Sequence, residues 1–416
     1  MLVPDPSMTR VAFVDPVRSP SRLLTAAQRL PAWGAVLVVY ALSRVFSTVL
    51  LFVMYRIAAT HPTQYADKYV DAGATKGFFG FLNVWDARFY TSIAEHGYPH
   101  VLPVSASGAV QPNAWAFLPV FPWCVRILAQ ITGWDTGAVA AGVATIFGAL
   151  AALALHRFLS LRVDALGALW GTTFFCFGAM GFVLEVGYAE SMFLFFLFAG
   201  LLALMQRRYV TLMWCGVLAS FVRPGALVLA LTLLIVVVHR FWKHRDEFPR
   251  AERAAAVVAG LAIGAAGLAW PLVAAAITGE SGAYLKTEMS WWKGVIGYTP
   301  SHFVPLSPWF LMAVRYLGIA GIIVVLGVPA LYIWGMRKPS LRRLGFDIRA
   351  FLTSYSLYLF AVFLPQQSLP RLIMPLAPLI AVDSITHQRA IRRLVLASGM
   401  ALQVTCVVIM WLLGPP

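Results

Sequence analysis

Charged residues are scarce in this 416-residue chain, where Asp, Glu, Lys and Arg make up 12% against 60% hydrophobic residues. That balance excludes a water-soluble domain and points to an all-α, polytopic membrane protein. Acid is scarcer still, with 17 Asp and Glu against 32 Lys and Arg. Cysteine is limited to Cys124, Cys176, Cys215 and Cys406, all in apolar stretches without metal-ligand spacing, so neither a disulfide nor a zinc site is expected. The basic N-terminus, with Arg10, Arg18, Arg22 and Arg29, lacks the short apolar stretch and cleavage site of a signal peptide. Segment 1–32 is therefore expected to stay attached and cytosolic. No internal repeat of the transporter kind is visible.

A net charge of +15 would suit nucleic acid if it formed one face. Instead the basic residues sort by membrane side. Helices at about Ala35–Ile57, Thr136–His156, Ala165–Leu184 and Ala189–Met205 put the turns Arg157–Asp164 and Gln206–Tyr209 on the cytosolic side. Continuing the count adds His239–Arg253, Arg337–Arg349 and His387–Arg393 to that side, the positive-inside pattern. No nucleic-acid partner is expected. The count requires that Ala114–Ile131, with Pro119, Pro122 and Arg126, lie along the outer interface rather than cross. It also requires that Val210–Val238 be two short helices broken at Arg223-Pro224-Gly225, which leaves Arg223 at membrane depth. Further spans are expected at about Ala254–Ile277, Trp309–Gly335, Ala350–Leu364, Leu372–Ile385 and Leu394–Leu413. The sum is about eleven transmembrane helices in a single domain, 33–416, with external loops at about 58–135 and 278–308.

Motifs fall in those loops and at the helix ends facing them. In order they are Trp85-Asp86, Ile93-Ala94-Glu95-His96-Gly97-Tyr98, Ala116-Phe117-Leu118-Pro119-Val120-Phe121-Pro122, Gly187-Tyr188-Ala189-Glu190-Ser191, Val222-Arg223-Pro224-Gly225, and Pro365-Gln366-Gln367 with Arg371. This ordered set resembles the PIG-V family of GT-C glycosyltransferases, and the resemblance covers most of the chain. It implies a GT-C fold and transfer of mannose from a polyprenyl phosphate, with inversion to an α-linked product. It also implies membrane lipids around the chain, a lipid-linked sugar donor as co-substrate rather than a cofactor, and a glycolipid or glycan acceptor. The composition, rich in Ala, Leu, Val and Arg, suggests a bacterial member in the plasma membrane, active on the extracytoplasmic side. Three positions depart from the family pattern: Arg88, where a histidine is usual, His100-Val101, where an acid is usual, and Pro224, where a Ser-Asn pair is usual. They bear on acceptor identity more than on the reaction.

Such a transfer needs a base for the acceptor hydroxyl, cations for the departing phosphate and a greasy groove for the lipid tail. Asp86 is the candidate base, although an acid after Asn83 also suits the start of a helix. Trp85, Arg88, Tyr90, Glu95 and His96 flank it, with Tyr90 one turn along and Glu95 turned to the opposite side. Arg223 is the leading phosphate ligand, because a buried guanidinium matches phosphate geometry. Arg371, Gln366 and Gln367 follow. Glu190 is a candidate for sugar or acceptor binding, and Lys286, Lys293 and His302 are loop cations able to close over a donor. Trp291 and Trp292 fit sugar stacking or an interfacial aromatic belt equally. Arg44, midway along the first helix, fits either phosphate contact or helix packing. No Asp-x-Asp pair occurs in either external loop, so no metal is expected. The rival class is a transporter or flippase of a polyprenyl-linked sugar, or a GT-C transferase of another sugar. A carrier would place its charges at the bilayer midplane between repeats.

Overall fold

A stretch that is apolar all round has no polar face to turn to water, and in a bundle it goes to the middle. Residues 190–205 are such a stretch, and in the computed structural model they form the most enclosed helix. The structure describes residues 31–60, 76–300 and 302–414. Most of the expected cytosolic segment 1–32 and positions 61–75 of the first loop lie outside these residues. Among the described residues the fold is all α-helix and turn, apart from an isolated bridge between Val104 and Val110.

The first half runs through α1 (Ala32–Thr60), α2 (Ala87–His96), α3 (Val120–Thr132), α4 (Thr136–Leu159), α5 (Ala165–Cys176) and the central α6 (Glu190–Met205). Asp135 and Asp164 start α4 and α5 by accepting from the backbone N–H of Ala138 and Gly167 at 3.0 and 2.8 Å. The second half runs through α7 (Tyr209–Ser220), α8 (Leu227–Lys243), α9 (Arg250–Thr278), α10 (Ala283–Ser290), α11 (Ser307–Leu317), α12 (Ile319–Met336), α13 (Phe346–Val362) and α14 (Arg389–Val407). α6 packs on α4 and α7, and α8 packs on α9 and α13.

Among the described residues, five helical segments are long and apolar enough to cross a membrane: Ala32–Thr60, Thr136–Leu159, Arg250–Thr278, Ile319–Met336 and Arg389–Leu412. The other expected crossings are shorter or broken. Trp309–Gly335 is two helices, because Gly318 takes φ 58° and turns α12 back on α11, and a Cβ at Gly321 would come within 2.2 Å of Ala313 O. Leu372–Ile385 is not one helix, since Pro370, Pro375 and Pro378 remove donors and leave short turns at Leu369–Leu372, Met374–Ile380 and Asp383–Thr386. Ala165–Leu184 stops at Cys176 and resumes as the 3₁₀ turn Gly181–Leu184.

One irregular feature, the break within Val210–Val238, matches the sequence reading. The chain breaks between α7 and α8 at Arg223-Pro224-Gly225, where Gly225 has φ 109° and its α-carbon faces the Tyr358 ring. α7 has 12 residues, about 18 Å at 1.5 Å per residue, too short to cross alone. α3 begins just after Pro119 and packs between α2 and α4, with the guanidinium of Arg126 bonded to the carbonyls of Ala94 and Glu95 at the end of α2. The basic turns also gather at one end of the bundle. Arg162 meets Asp347, Arg343 meets Asp383, and His387 meets Asp164 there.

Candidate active site

Asp86 is aimed by a strained backbone. Trp85 has φ 57°, a left-handed conformation that a bulky residue holds at a cost of about 1–3 kcal/mol when its surroundings fix it. They do: the Trp85 indole N–H donates to Trp411 O at 2.8 Å, and the Trp411 indole N–H donates to Phe81 O at 3.2 Å. The kink places Asp86 at the N-cap position of α2, yet its carboxylate makes no capping bond. Asn83 is not the cap either, since its amide donates to Phe79 O and Gly137 O. The carboxylate is thereby left free for a partner outside its own helix.

That partner is Arg371, whose Nη1 donates to Asp86 Oδ2 at 2.7 Å. Arg371 is buried, and its Nε lies 3.1 Å from Glu190 Oε1 in an ion-pair contact. Glu190 Oε1 also accepts from Arg223 Nη1. The four side chains thus alternate in sign, Asp86–Arg371–Glu190–Arg223, though they come from α2, the Leu369–Leu372 turn, the start of α6 and the tip between α7 and α8. Tyr188 closes the base of this chain, with its hydroxyl accepting from the Asp86 backbone N–H at 3.3 Å and its ring 5.1 Å from the Arg371 guanidinium carbon. Gly187 is a glycine because a Cβ there would come within 2.0 Å of Asn83 Oδ1. The Glu190 Oε2 atom is buried without a hydrogen-bond partner.

The second loop folds over this cluster. Asn113 Nδ2 donates to Thr287 Oγ1 at 3.0 Å, and the Trp291 ring meets Phe89 and Phe117 edge-on at 5.6 and 6.2 Å. The tip that carries Arg223 is tied to the same loops, because Val120 N donates to Phe221 O at 3.0 Å. Glu288 of α10 comes within electrostatic reach of both Asp86 and Arg223. Burial pushes its carboxyl up to about 7; the Asp86 charge adds to that, while the Tyr284 hydrogen bond and Arg223 pull it down. Burial likewise pushes the Tyr284 phenol up, so it keeps its proton and donates to Glu288.

The structure thus gathers Asp86, Glu190, Arg223 and Arg371, with Trp85 beneath. Tyr90 is buried edge-on against Phe117 and Phe121, within electrostatic reach of Asp86, Arg223 and Arg371, and burial pushes its phenol up to about 12. Asp86 is anchored through Tyr188 rather than through Tyr90. Arg88 leans on the Phe89 ring at 4.9 Å. Glu95 and His96 are exposed at the end of α2 and pair weakly with each other at 3.9 Å, away from the cluster. Lys286 pairs with Glu280, and Lys293 and His302 are exposed. Gln366 is half-buried and Gln367 is exposed beside Gly414. Arg44 belongs to helix packing: it pairs with buried Glu185 at 3.6 Å and donates to Cys176 O at 3.3 Å. Tyr188 and Glu288 were missed from sequence. Tyr188 stood inside a quoted motif, and Glu288 had only its spacing of one helical turn from Tyr284 as a signal.

Known proteins resemble part of this chain. The mouse protein named GPI alpha-1,6-mannosyltransferase 2 is 29% identical over 177 residues, covering 40% of this chain and 33% of its own. The human protein of that name is 26% identical over 177 residues with the same coverage. The fission yeast Schizosaccharomyces pombe protein named GPI mannosyltransferase 2 is 26% identical over 147 residues, 34% of this chain and 29% of its own. The matched region spans about a third of the length of these curated relatives. The sequence profile described as mannosyltransferase (PIG-V) matches residues 35–279, more than half of the chain, and takes in Asp86, Glu190 and Arg223; the chain belongs to this family.

Proposed function

We propose that this chain transfers mannose from a polyprenyl-phosphate donor to a hydroxyl of a lipid-linked glycan, such as a phosphatidylinositol mannoside or lipoglycan, at the extracytoplasmic face of a bacterial plasma membrane. About eleven crossings, with the N-terminus cytosolic, belong to the same proposal. The observation that carries it is the alternating chain Asp86–Arg371–Glu190–Arg223 at the end of the bundle opposite the basic turns. A phosphodiester seated by Arg223 and Arg371 has its leaving charge met by two guanidinium groups as the bond breaks. The acceptor oxygen attacks C1 of the mannosyl group, the C1–O bond breaks, and its electron pair goes to the phosphate oxygen. The hydroxyl proton goes to Asp86, whose Oδ2 is already held by Arg371 and whose angle is fixed by Trp85 and Tyr188. Attack on the face opposite the phosphate inverts C1.

Transfer from synthetic polyprenyl-phosphate mannose to a total lipid extract, in membranes bearing wild type or Asp86→Asn, tests this reading. A loss of about 10²–10⁴-fold in Asp86→Asn, with donor binding retained, is expected for a general base. Movement of donor across sealed vesicles by a wild type that transfers nothing would replace it with a carrier.

A further inference from the structure

Two arginines, Arg223 and Arg371, balance the two acids bonded to them, Asp86 and Glu190. A donor phosphodiester would add a negative charge to that balanced set. Glu288 is a third acid in the same place, and a carboxylate close to an incoming anion opposes its binding. Its role must therefore lie with another ligand. It has a hydrogen bond to Tyr284 on its own helix, and Arg223, Asp86, Tyr90 and Tyr358 lie within electrostatic reach. A carboxylate has about four lone-pair positions, so Glu288 retains acceptor capacity toward the site after the bond to Tyr284.

Rings complete the arrangement. Tyr284 is half-buried and packs on the cluster of Trp115, Trp270 and Leu102, while Tyr358 is half-buried against Gly225 beside Arg223. Trp291, the residue that follows α10 directly, is half-buried against Phe89 and Phe117. A carboxylate that accepts from hydroxyls, beside flat rings that cover C–H faces, matches the chemistry of a pyranose or cyclitol ring. Being neutral, such a ring does not raise the charge of the site.

We propose that Glu288, with the rings of Tyr284, Tyr358 and Trp291, is the acceptor subsite of this enzyme, which binds a neutral sugar or cyclitol ring through hydroxyls next to the one that attacks. The inference rests on the transferase reading above and adds a specificity-determining residue to it. Asp86 handles the attacking hydroxyl, and Glu288 holds its neighbour. A site built around a charged acceptor rejects a ligand that lacks the matching hydroxyl, because the carboxylate is then left unpaired.

The test uses the full chain, octyl α-D-mannopyranoside and its monodeoxy derivatives as probes, and synthetic polyprenyl-phosphate mannose as donor. Glu288→Gln is expected to raise the KM for the octyl mannoside roughly 10- to 100-fold, the worth of a hydrogen bond to a charged group, while the donor KM stays level or falls because a charge that opposes the anion is gone. One deoxy derivative should bind wild type as poorly as the full probe binds Glu288→Gln. In wild type the acceptor KM should fall as pH rises through about 7, where Glu288 ionises, and this slope should vanish in Glu288→Gln. If Glu288→Gln fails to fold, Tyr284→Phe, which frees Glu288 from its internal donor, carries the test and is expected to shift the same acceptor KM. An unchanged acceptor KM, or a change confined to kcat or to the donor KM, overturns the subsite. Octyl mannoside quenching of tryptophan fluorescence separates the two readings: a wild type that binds the probe, loses binding with Glu288→Gln and transfers nothing keeps the subsite and removes the transferase, whereas transfer without such loss does the opposite.

Discussion

Ion pairs occur at both ends of this bundle, and those of the basic end, apart from the enclosed Arg240–Glu252 pair, differ from the Asp86 cluster in one respect that decides their use. At the basic end Arg343 and Asp383 pair at 2.8 Å with side chains 69% and 39% exposed, and Arg162 meets Asp347 at 2.7 Å. At the other end Arg371 and Glu190 are 8% and 5% exposed, and each is shared between two partners. Solvated pairs are replaceable by water and worth about 0–1 kcal/mol. Buried, shared pairs cannot fall back on water, so the loss of one member strands the rest. The lesson is that charge at the basic end fits topology and charge at the Asp86 end fits chemistry.

The strongest way to sharpen this contrast is Arg371→Leu. It leaves Asp86 without its ion partner and Glu190 with Arg223 alone, and it should lower stability by about 3–5 kcal/mol, the usual cost of breaking a buried pair from one side. Thermal unfolding in detergent reads the loss. Arg371→Lys keeps the charge but not the fork that reaches Asp86 and Glu190 together, so it should recover much of the stability and little of the transfer. Equal recovery of both would make the cluster a structural device like its counterpart at the basic end.

Gly187→Ala is the next largest. Its Cβ would press on Asn83, whose amide ties the Phe79 and Gly137 carbonyls under the Trp85 kink. Overpacking of this kind costs about 1–3 kcal/mol. Because the displaced segment carries Asp86 on one side and Tyr188 on the other, transfer should fall further than the melting temperature does. A melting loss with full activity would show that the aim of Asp86 does not depend on this contact.

Asp164→Ala removes the N-cap of α5 at the basic end and should cost about 1 kcal/mol with transfer intact. The Gly167 backbone N–H, then His387, hold the Asp164 carboxyl below its ordinary 3.8. A depressed acid contributes stability above its unfolded value and loses it as pH falls through the folded one. The gap in melting temperature between wild type and Asp164→Ala should therefore close below pH 3.8 and stay constant above it. A gap that changes elsewhere on the pH scale would show that the Asp164 carboxyl is not its source.

Much of this was legible in sequence because charge and proline act locally. Arg223-Pro224-Gly225 breaks its helix by removing a donor and supplying a φ only glycine takes easily, and the basic turns group by the cost of moving charge across lipid. Asp86, Glu190, Arg223 and Arg371 stood out as charges in apolar surroundings. What stayed hidden depends on contacts far apart in the chain. Nothing near Trp85 announces a left-handed residue, since the strain is held by Trp411, 326 residues away. Glu288 drew no notice in the sequence, and only the fold, which brings α10 within electrostatic reach of Asp86 and Arg223, sets it apart. The expected span Trp309–Gly335 was drawn too long, shortening to Ile319–Met336, because a lone Gly318 inside an apolar stretch looks like a tolerated helical glycine, whereas here it reverses the chain.

The smallest effect is the one that most directly tests the comparison. Arg343→Ala breaks a bond as short as the one between Arg371 and Asp86, 2.8 against 2.7 Å, so bond length alone predicts equal consequences. Exposure predicts otherwise. Water replaces the Arg343 guanidinium at Asp383, while Asp383 keeps His387 as a neighbour at 3.9 Å. The cost should stay under about 1 kcal/mol and shrink further in high salt, with the rate of transfer unaltered. A loss comparable to that of Arg371→Leu would mean that geometry outweighs burial here, and the case for a chemical role at the Asp86 end would have to rest on transfer assays alone.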